Sequence, residues 1–413
     1  MNTGLAWAMT LLATTLATGA QAATPPDVQV AARGNDQFAL DLYARLSTQE
    51  GNLFFSPFSI SSALAMTLAG ARGQTAAQMV RTLHFEVLLP AGYTEQDAIR
   101  LHRAIAELNR QLLAAQGKPA HYELTIANAL WGQKGYEFLE EFLSLTRTHY
   151  GAGLHQVDFA GDRDGACGTI NAWVEEQTRG KIQNLIRPDG LSPLTRLVLT
   201  NAIYFKGKWE RQFDKAATRS EPFFTFTGKV DVPMMHQTGN FGYMEEAGFQ
   251  ALEMPYQGRD LSMVVLLPRD ASAAAFSALE NSLTADNLAR WFGQLRQREV
   301  IVAMPRFKMT CEFGLADTLK ALGMADAFTP GAADFSGMNG QRDLFISAVL
   351  HKAFVEVNEE GTEAAAATGV VARVTTIMPR PPEVFRADHP FIFLIRDLRT
   401  GSVLFLGRLM NPR

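Results

Sequence analysis

The pattern of apolar and polar positions changes character along the chain. Leu101, Ile105, Leu108 and Leu112 recur at helical spacing between Glu95 and Ala115, with Arg100, Arg103 and Arg110 on the other faces. Ser56-Pro57 supplies a helix cap followed by proline at the first helical position, and an apolar helix runs from there to a stop at Gly70. Thr75-Ala-Ala-Gln78 reads as a capping box that opens a further short helix, and Cys167 to Arg179 as a helix stopped by Gly180. Leu197 to Phe205 is a long run suited to a buried central strand. Further strands are predicted at Leu261 to Leu267, Val300 to Phe307 and Leu350 to Asn358. Phe391 to Ile395 and Val403 to Leu406, joined by a polar turn, predict a buried hairpin. Helices crowd the first half and strands the second, the mark of an α+β fold without regular βαβ alternation.

The first residues follow a different rule. Leu5 to Ala20 are apolar or small and uncharged, and Ala20-Gln21-Ala22 is a small-x-small cleavage site ahead of a polar Thr24-Pro25-Pro26-Asp27. This predicts a signal peptide at residues 1–22, a single mature domain at residues 23–413, and export to the extracellular space or a periplasm. Thr and Gly interrupt the apolar stretch, which is short for a membrane span.

Composition narrows the chemistry. The 413 residues carry 38 Lys+Arg against 42 Asp+Glu, a net charge of −4, so no basic field exists to neutralise a nucleic-acid backbone. The two cysteines, Cys167 and Cys311, lack the spacing of a disulfide framework or a zinc site and read as packed free thiols. No cofactor or metal ligand set is found. The eight histidines are scattered singly, and no Gly-x-Ser-x-Gly elbow, phosphate loop, zinc helix or dinucleotide fingerprint occurs. An enzyme is not the first reading.

One segment carries more information than the rest. Residues 359–376 read Glu-Glu-Gly-Thr-Glu-Ala-Ala-Ala-Ala-Thr-Gly-Val-Val-Ala-Arg-Val-Thr-Thr, directly after the strand that ends at Asn358. Four alanines alone suggest a helical turn. The β-branched residues that follow, and then Pro379, Pro381 and Pro382, favour an exposed loop or a strand. In a strand, Thr362, Ala364, Ala366, Thr368 and Val370 share one face, all small and uncharged, so the face can be buried without an unpaired charge. Gly361 beside it offers backbone freedom.

The chain resembles the serpins, the serine protease inhibitor family, over nearly all of its mature length. The likeness rests on Asn52-Leu-Phe-Phe-Ser-Pro-Phe-Ser-Ile-Ser-Ser62, on Thr200-Asn-Ala-Ile-Tyr-Phe-Lys-Gly-Lys-Trp209, on His351 to Ala367, and on Phe385-Arg-Ala-Asp-His-Pro-Phe391 with Val403 to Pro412. The resemblance implies the serpin fold, with three β-sheets, eight or nine helices and an exposed reactive-centre loop. It also implies a metastable inhibitor whose cleaved loop inserts into the main sheet and traps the acylated protease; loop insertion in serpins is itself a standard example of such a transition.

By family position the hinge comprises Glu359, Gly361, Thr362, Ala364, Ala366 and Thr368. Ser56, Ser59, Asn201 and His351 form a shutter beneath the sheet, and Trp209 sits at its upper opening, the breach. Ser56 and Ser59 also read as plain helix-start residues, and Trp209 as core. The spacing from Gly361 puts the reactive bond at Thr375-Thr376, with Met378-Pro379 and the bond after Arg373 as alternatives. A threonine there suits proteases with small or apolar primary pockets, elastase-, chymotrypsin- or subtilisin-like, with cysteine proteases as a further class. A monomer is expected. The competing reading is a non-inhibitory serpin acting as a binding or chaperone module.

Overall fold

A computed structural model describes residues 25–92, 94–114, 122–151, 153–362 and 381–413, arranged as two β-sheets clothed by helices. The larger sheet has nine strands. Its path runs β1 (Leu53–Phe55), β15 (Val403–Leu409), β14 (Phe391–Asp397), β8 (Leu261–Pro268), β7 (Phe249–Pro255), β6 (Gly228–Glu245), β9 (Arg296–Pro305) and β13 (Glu383–Arg386), with β5 (Arg219–Thr225) paired to β6. β6 is 18 residues long and joins what would otherwise be two sheets: it pairs with β7 at one end and with β5 and β9 along the rest. Two of the three expected sheets are thus continuous through one strand.

The smaller sheet has six strands. Its order is β10 (Phe307–Gly314), β11 (Ile346–Val357), β12 (Gly361–Thr362), β4 (Leu197–Lys208), β2 (Tyr122–Gln133) and β3 (Leu154–Val157). β11 also pairs directly with β4, in parallel, from Ile346↔Leu197 to Phe354↔Tyr204. All neighbours of β4 other than β11 run antiparallel to it.

Ten α-helices are present among the described residues: α1 (Pro26–Leu46), α2 (Pro57–Leu68), α3 (Gly73–Thr82), α4 (Glu95–Ala114), α5 (Glu140–Tyr150), α6 (Arg163–Gln177), α7 (Ala273–Asn281), α8 (Ala285–Gln294), α9 (Ala316–Ala321) and the single turn α10 (Ser336–Asn339). α2 packs on β15 of one sheet and on β4 and β2 of the other, and every one of its residues is buried. That position explains a helix that is apolar all round rather than striped. None of the described helices is long and apolar enough to cross a membrane.

Several sequence expectations shift. Thr75 lies inside α3, whose N-cap is Arg72, and its hydroxyl accepts the Asp334 amide at 2.9 Å, so the capping box does not form. α6 begins at Arg163, because the Asp162 side chain accepts the Gly165 amide and starts the helix earlier than the apolar pattern does. The strand expected through Phe307 is two strands, broken between Pro305 and Phe307. β2 and the β5 to β7 region were not legible as strands in the sequence. Cys167 and Cys311 are free, the first buried and the second half-buried. Residues 1–24, which include the expected signal peptide, lie outside the described residues.

Candidate functional site

Strand register assembles the first group of polar side chains. His351 on β11 stands opposite Asn201 on β4, and Asn201 stands opposite Asn128 on β2, so three polar residues lie abreast at one level of the smaller sheet. The N-terminus of α2 meets this row. Ser56, Ser59, Asn201 and His351 are all fully buried.

Every donor in the group has an acceptor. The Ser56 amide donates to His351 Nε2 at 3.1 Å, which makes Nε2 the unprotonated nitrogen; Nδ1 therefore carries the hydrogen and donates to Asn201 Oδ1. Asn201 Nδ2 donates to Ser59 Oγ at 2.6 Å and to Asn128 Oδ1. Ser59 Oγ donates to Asn128 Oδ1 at 3.1 Å, and Asn128 Nδ2 donates to the Ser59 carbonyl at 3.1 Å. Ser56 does two jobs: its hydroxyl accepts the Ser59 amide as a helix cap at 3.1 Å and donates to the Leu404 carbonyl at 2.6 Å. The cap uses the Ser56 hydroxyl, whereas the contact with His351 runs through the Ser56 backbone amide. Burial pushes the His351 pKa down to about 3, so the ring is neutral at physiological pH. Asn128 escaped the sequence reading, although the register of β2 against β4 places it beside Asn201.

A second group forms where β4 and β11 diverge. Past Phe354 the two strands separate, and the chain leaving β11 turns through Asn358 to Gly361 and re-enters between them as β12. Asn358 closes this turn: its Oδ1 accepts the amides of Glu360 at 3.0 Å and Gly361 at 3.3 Å, and its own amide donates to the Gly361 carbonyl at 2.9 Å. β12 is antiparallel to both flanking strands, with Thr362 opposite Val357 on one side and Gly207 on the other. Gly361 is required by contact as much as by freedom. Its φ is +153°, and a Cβ there would lie 2.0 Å from the Gly207 carbonyl oxygen.

Thr362 is fully buried, with its hydroxyl 2.8 Å from that of Tyr256. Tyr256 stacks on Trp209 at 4.7 Å, and the Trp209 indole N–H donates to the Asn358 carbonyl at 3.0 Å. The Trp209 amide also donates to the Glu360 carbonyl at 2.9 Å. Trp209 is therefore core and hinge support together. Glu359 and Glu360 are buried carboxylates, a feature the small-residue face did not anticipate. Glu359 takes an ion pair from Arg306 and a 2.7 Å hydrogen bond from Thr218, and Glu360 an ion pair from Lys215. Burial raises the Glu359 pKa, but the hydrogen bonds from Arg306 and Thr218 outweigh it and hold the carboxyl below its ordinary value. Arg306, Thr218, Lys215 and Tyr256 come from distant parts of the chain, and no local signal marks them.

Ala364, Ala366, Thr368, Thr375 and Thr376 lie outside the described residues, as do both alternative reactive bonds. Among the described residues no cluster of three or more His, Cys, Asp or Glu side chains is suited to hold a metal ion.

Comparison with known proteins agrees with this architecture. The family model for serpins, "Serpin (serine protease inhibitor)", matches residues 33–412. A leukocyte elastase inhibitor of Bos taurus is 46% identical over 387 residues, 92% of this chain and 98% of that protein. An uncharacterized serpin-like protein of Thermococcus kodakarensis is 44% identical over 379 residues, 92% of this chain and 85% of its own length. Among solved structures, uncleaved ovalbumin superposes with a TM-score of 0.82 at 32% identity, covering 92% of this chain and all of its own. With a family model spanning nearly the whole chain and the serpin fold on the page, the chain belongs to the serpins, a family of protease inhibitors and not of enzymes.

Proposed function

We propose that this serpin inhibits serine proteases as a suicide substrate, and that the residues at the shutter and the hinge control the insertion that makes inhibition irreversible. The observation that carries this reading is the seat of β12. A strand antiparallel to both neighbours already occupies the top of the gap between β4 and β11, and its continuation downward needs only that those two strands part. Below it they are joined as a parallel pair, the less stable of the two pairing modes. Continuation replaces one parallel interface by two antiparallel ones.

The chemistry precedes the movement. The protease serine Oγ attacks the carbonyl carbon of Thr375, its proton passes through the protease histidine to the departing Thr376 nitrogen, and the peptide C–N bond gives way to an ester. Water would normally hydrolyse that ester. Insertion of the segment from Thr362 to Thr375 carries the bound protease away before it does so. About a dozen further residues, each contributing roughly 0.5 to 1.5 kcal/mol in net hydrogen bonding, amount to on the order of 10 kcal/mol. That is comparable with the about 5 to 15 kcal/mol that holds a folded domain together, enough to distort a protease active site.

The relatives named leukocyte elastase inhibitors support an elastase-like target, in keeping with a threonine at the cleaved bond; chymotrypsin- and subtilisin-like enzymes fit the same small or apolar preference. The apolar Leu5 to Ala20 segment with its small-x-small site supports export of a monomeric inhibitor. The test is to mix the purified protein with elastase, chymotrypsin, trypsin and subtilisin. A detergent-resistant complex with at least one of them, and release of a C-terminal peptide that begins at Thr376, is the expected result. Clean cleavage by all four without any complex would establish the non-inhibitory reading instead.

A further inference from the structure

A cavity of about 460 Å³ opens between the C-terminal end of α2, the first turns of α4 and α5, and the chain around Gly337. Its size lies within the range of small-molecule sites. Leu68, Leu89, Ile99, Phe142 and Leu145 supply an apolar wall. One buried polar side chain, His102, interrupts it.

The orientation of His102 is set from behind. Its Nδ1 lies 2.6 Å from the Tyr150 hydroxyl, and Tyr150 belongs to the α5 end that lies away from this cavity. The Tyr150 hydroxyl has Nδ1 as its one hydrogen-bond partner among the described residues, and a phenol is the better donor, so the hydroxyl hydrogen points to Nδ1. Nε2 must then carry the ring hydrogen. Nε2 has no partner among the described residues, although His102 is 2% exposed and lines the cavity. Within the described residues the Nε2–H thus has no acceptor, and a carbonyl oxygen entering the cavity from solvent would supply one.

The charge of the site chooses among acceptors. Burial, with a smaller contribution from His149, keeps the His102 ring neutral, its pKa lowered to about 3, so no buried cation waits for an anion. Glu95 and Glu141, both exposed, stand at the rim and oppose a carboxylate. Arg72, also exposed, donates from Nη1 to the Ala69 and Ala71 carbonyls at 3.1 and 2.7 Å, which leaves one cation against the two acids.

We infer that this cavity is a binding site for a neutral, apolar small molecule bearing one carbonyl oxygen, an ester, amide or ketone, which accepts the His102 Nε2–H at its buried end while its hydrocarbon body lies against Leu68, Ile99 and Phe142. Nothing in this site depends on cleavage of the reactive loop.

The test compares three probes of equal apolar body, 4-phenyl-2-butanone, butylbenzene and 4-phenylbutyrate, by calorimetric titration of the intact protein. The ketone is expected to bind roughly tenfold or more tightly than the hydrocarbon, one hydrogen bond's worth of discrimination, with the carboxylate weakest. His102→Phe should abolish the difference between ketone and hydrocarbon. Ala98→Phe, which fills the cavity from α4 and leaves His102 in place, should abolish binding of both. Equal binding of ketone and hydrocarbon to the unaltered protein, tightest binding of the carboxylate, failure of all three to bind, or binding that survives Ala98→Phe would each overturn the inference. The probe series needs no variant, so a variant that fails to fold does not remove the test.

Discussion

β4 and β11 are held together in two ways, and the two are physically opposite. At the level of His351, Asn201 and Asn128 the strands are in direct contact, and the polar groups between them and α2 are neutral and bonded to one another, fully buried at Ser56, Ser59, Asn201 and His351 and half-buried at Asn128. At the top the strands are already apart, and the intervening turn is fastened by ion pairs whose cationic partners reach into solvent: the Lys215 side chain is 59% exposed and that of Arg306 45%. A neutral, mutually bonded network that is mostly buried is poorly placed to exchange its bonds for water one at a time, so its members favour opening together. The exposed cationic ends of these pairs can exchange their partners for water, although the Glu359 and Glu360 carboxylates they serve are buried. On the insertion proposed above, the upper fastening is the easier end to open and the lower row the barrier that follows.

The largest effect expected from this contrast is at Thr362. Its side chain is enclosed against Tyr256, and in the proposed insertion the strand it begins would bury the same face all the way down. Thr362→Arg would place an unpaired charge there, at a cost of several kcal/mol, and should convert the inhibitor into an ordinary substrate. The check is the yield of detergent-resistant complex, expected to fall from a majority of the molecules to almost none while cleavage continues. Undiminished complex would mean that the strand does not zip downward from β12.

Next in size is the effect of cutting the loop without a trapped protease. Completed insertion worth on the order of 10 kcal/mol should raise the melting temperature of a chain this long by roughly 10 °C or more. Scanning calorimetry of intact and nicked protein reads it. Equal melting temperatures would mean that the two fastenings hold a sheet with nothing further to gain.

Smaller, and specific to the lower row, is a pH dependence. The unfolded chain binds a proton on His351 below about pH 6.5, whereas the native protein resists it down to about 3. Between those values the unfolded state holds more protons, so stability falls as pH falls. The contribution at pH 5 is about 2 kcal/mol. Protonation would also take from Nε2 the lone pair that receives the Ser56 amide. Urea unfolding at pH 7 and at pH 5 should show that loss, and His351→Gln should remove the part due to this ring while leaving that due to the buried His102. An identical slope in the variant would show that the row does not sense protons.

The same contrast separates what was legible in the sequence from what was not. The lower row was named through the family resemblance, while the local pattern showed only the elements that carry it: Ser56 before Pro57, Asn201 inside the apolar run of β4, His351 inside β11. Asn128 was missed because β2 mixes small, polar and apolar residues, and only pairing with β4 reveals which face each occupies. The upper group was half readable. Gly361 and Thr362 stand out by residue type, but Arg306, Thr218, Lys215 and Tyr256 reach Glu359, Glu360 and Thr362 from loops and strand ends 106 to 145 positions away or, for Arg306, 53. Tertiary charge pairing leaves no local pattern. The capping box at Thr75 failed for a related reason, since a long-range bond to Asp334 claims the hydroxyl.

The smallest predicted effects lie within the upper fastening and divide it further. Arg306 and Thr218 serve Glu359, which is 2% exposed, so Arg306→Ala leaves a buried carboxylate with one hydroxyl for company. Discounted for the half-exposed arginine, a loss of about 1 to 2 kcal/mol is expected. Lys215 is the more exposed cation, and Lys215→Ala should cost under about 1 kcal/mol. Both should speed opening at the top, and so raise the rate of spontaneous insertion, in the order Arg306→Ala over Lys215→Ala. That order is read from the half-time over which stored protein loses its capacity to form complexes. A reversed order would place the principal tie of the hinge on Glu360 instead of Glu359, and the buried Glu360 Oε2, which has no hydrogen-bond partner among the described residues, would then have to gain one when the strands part.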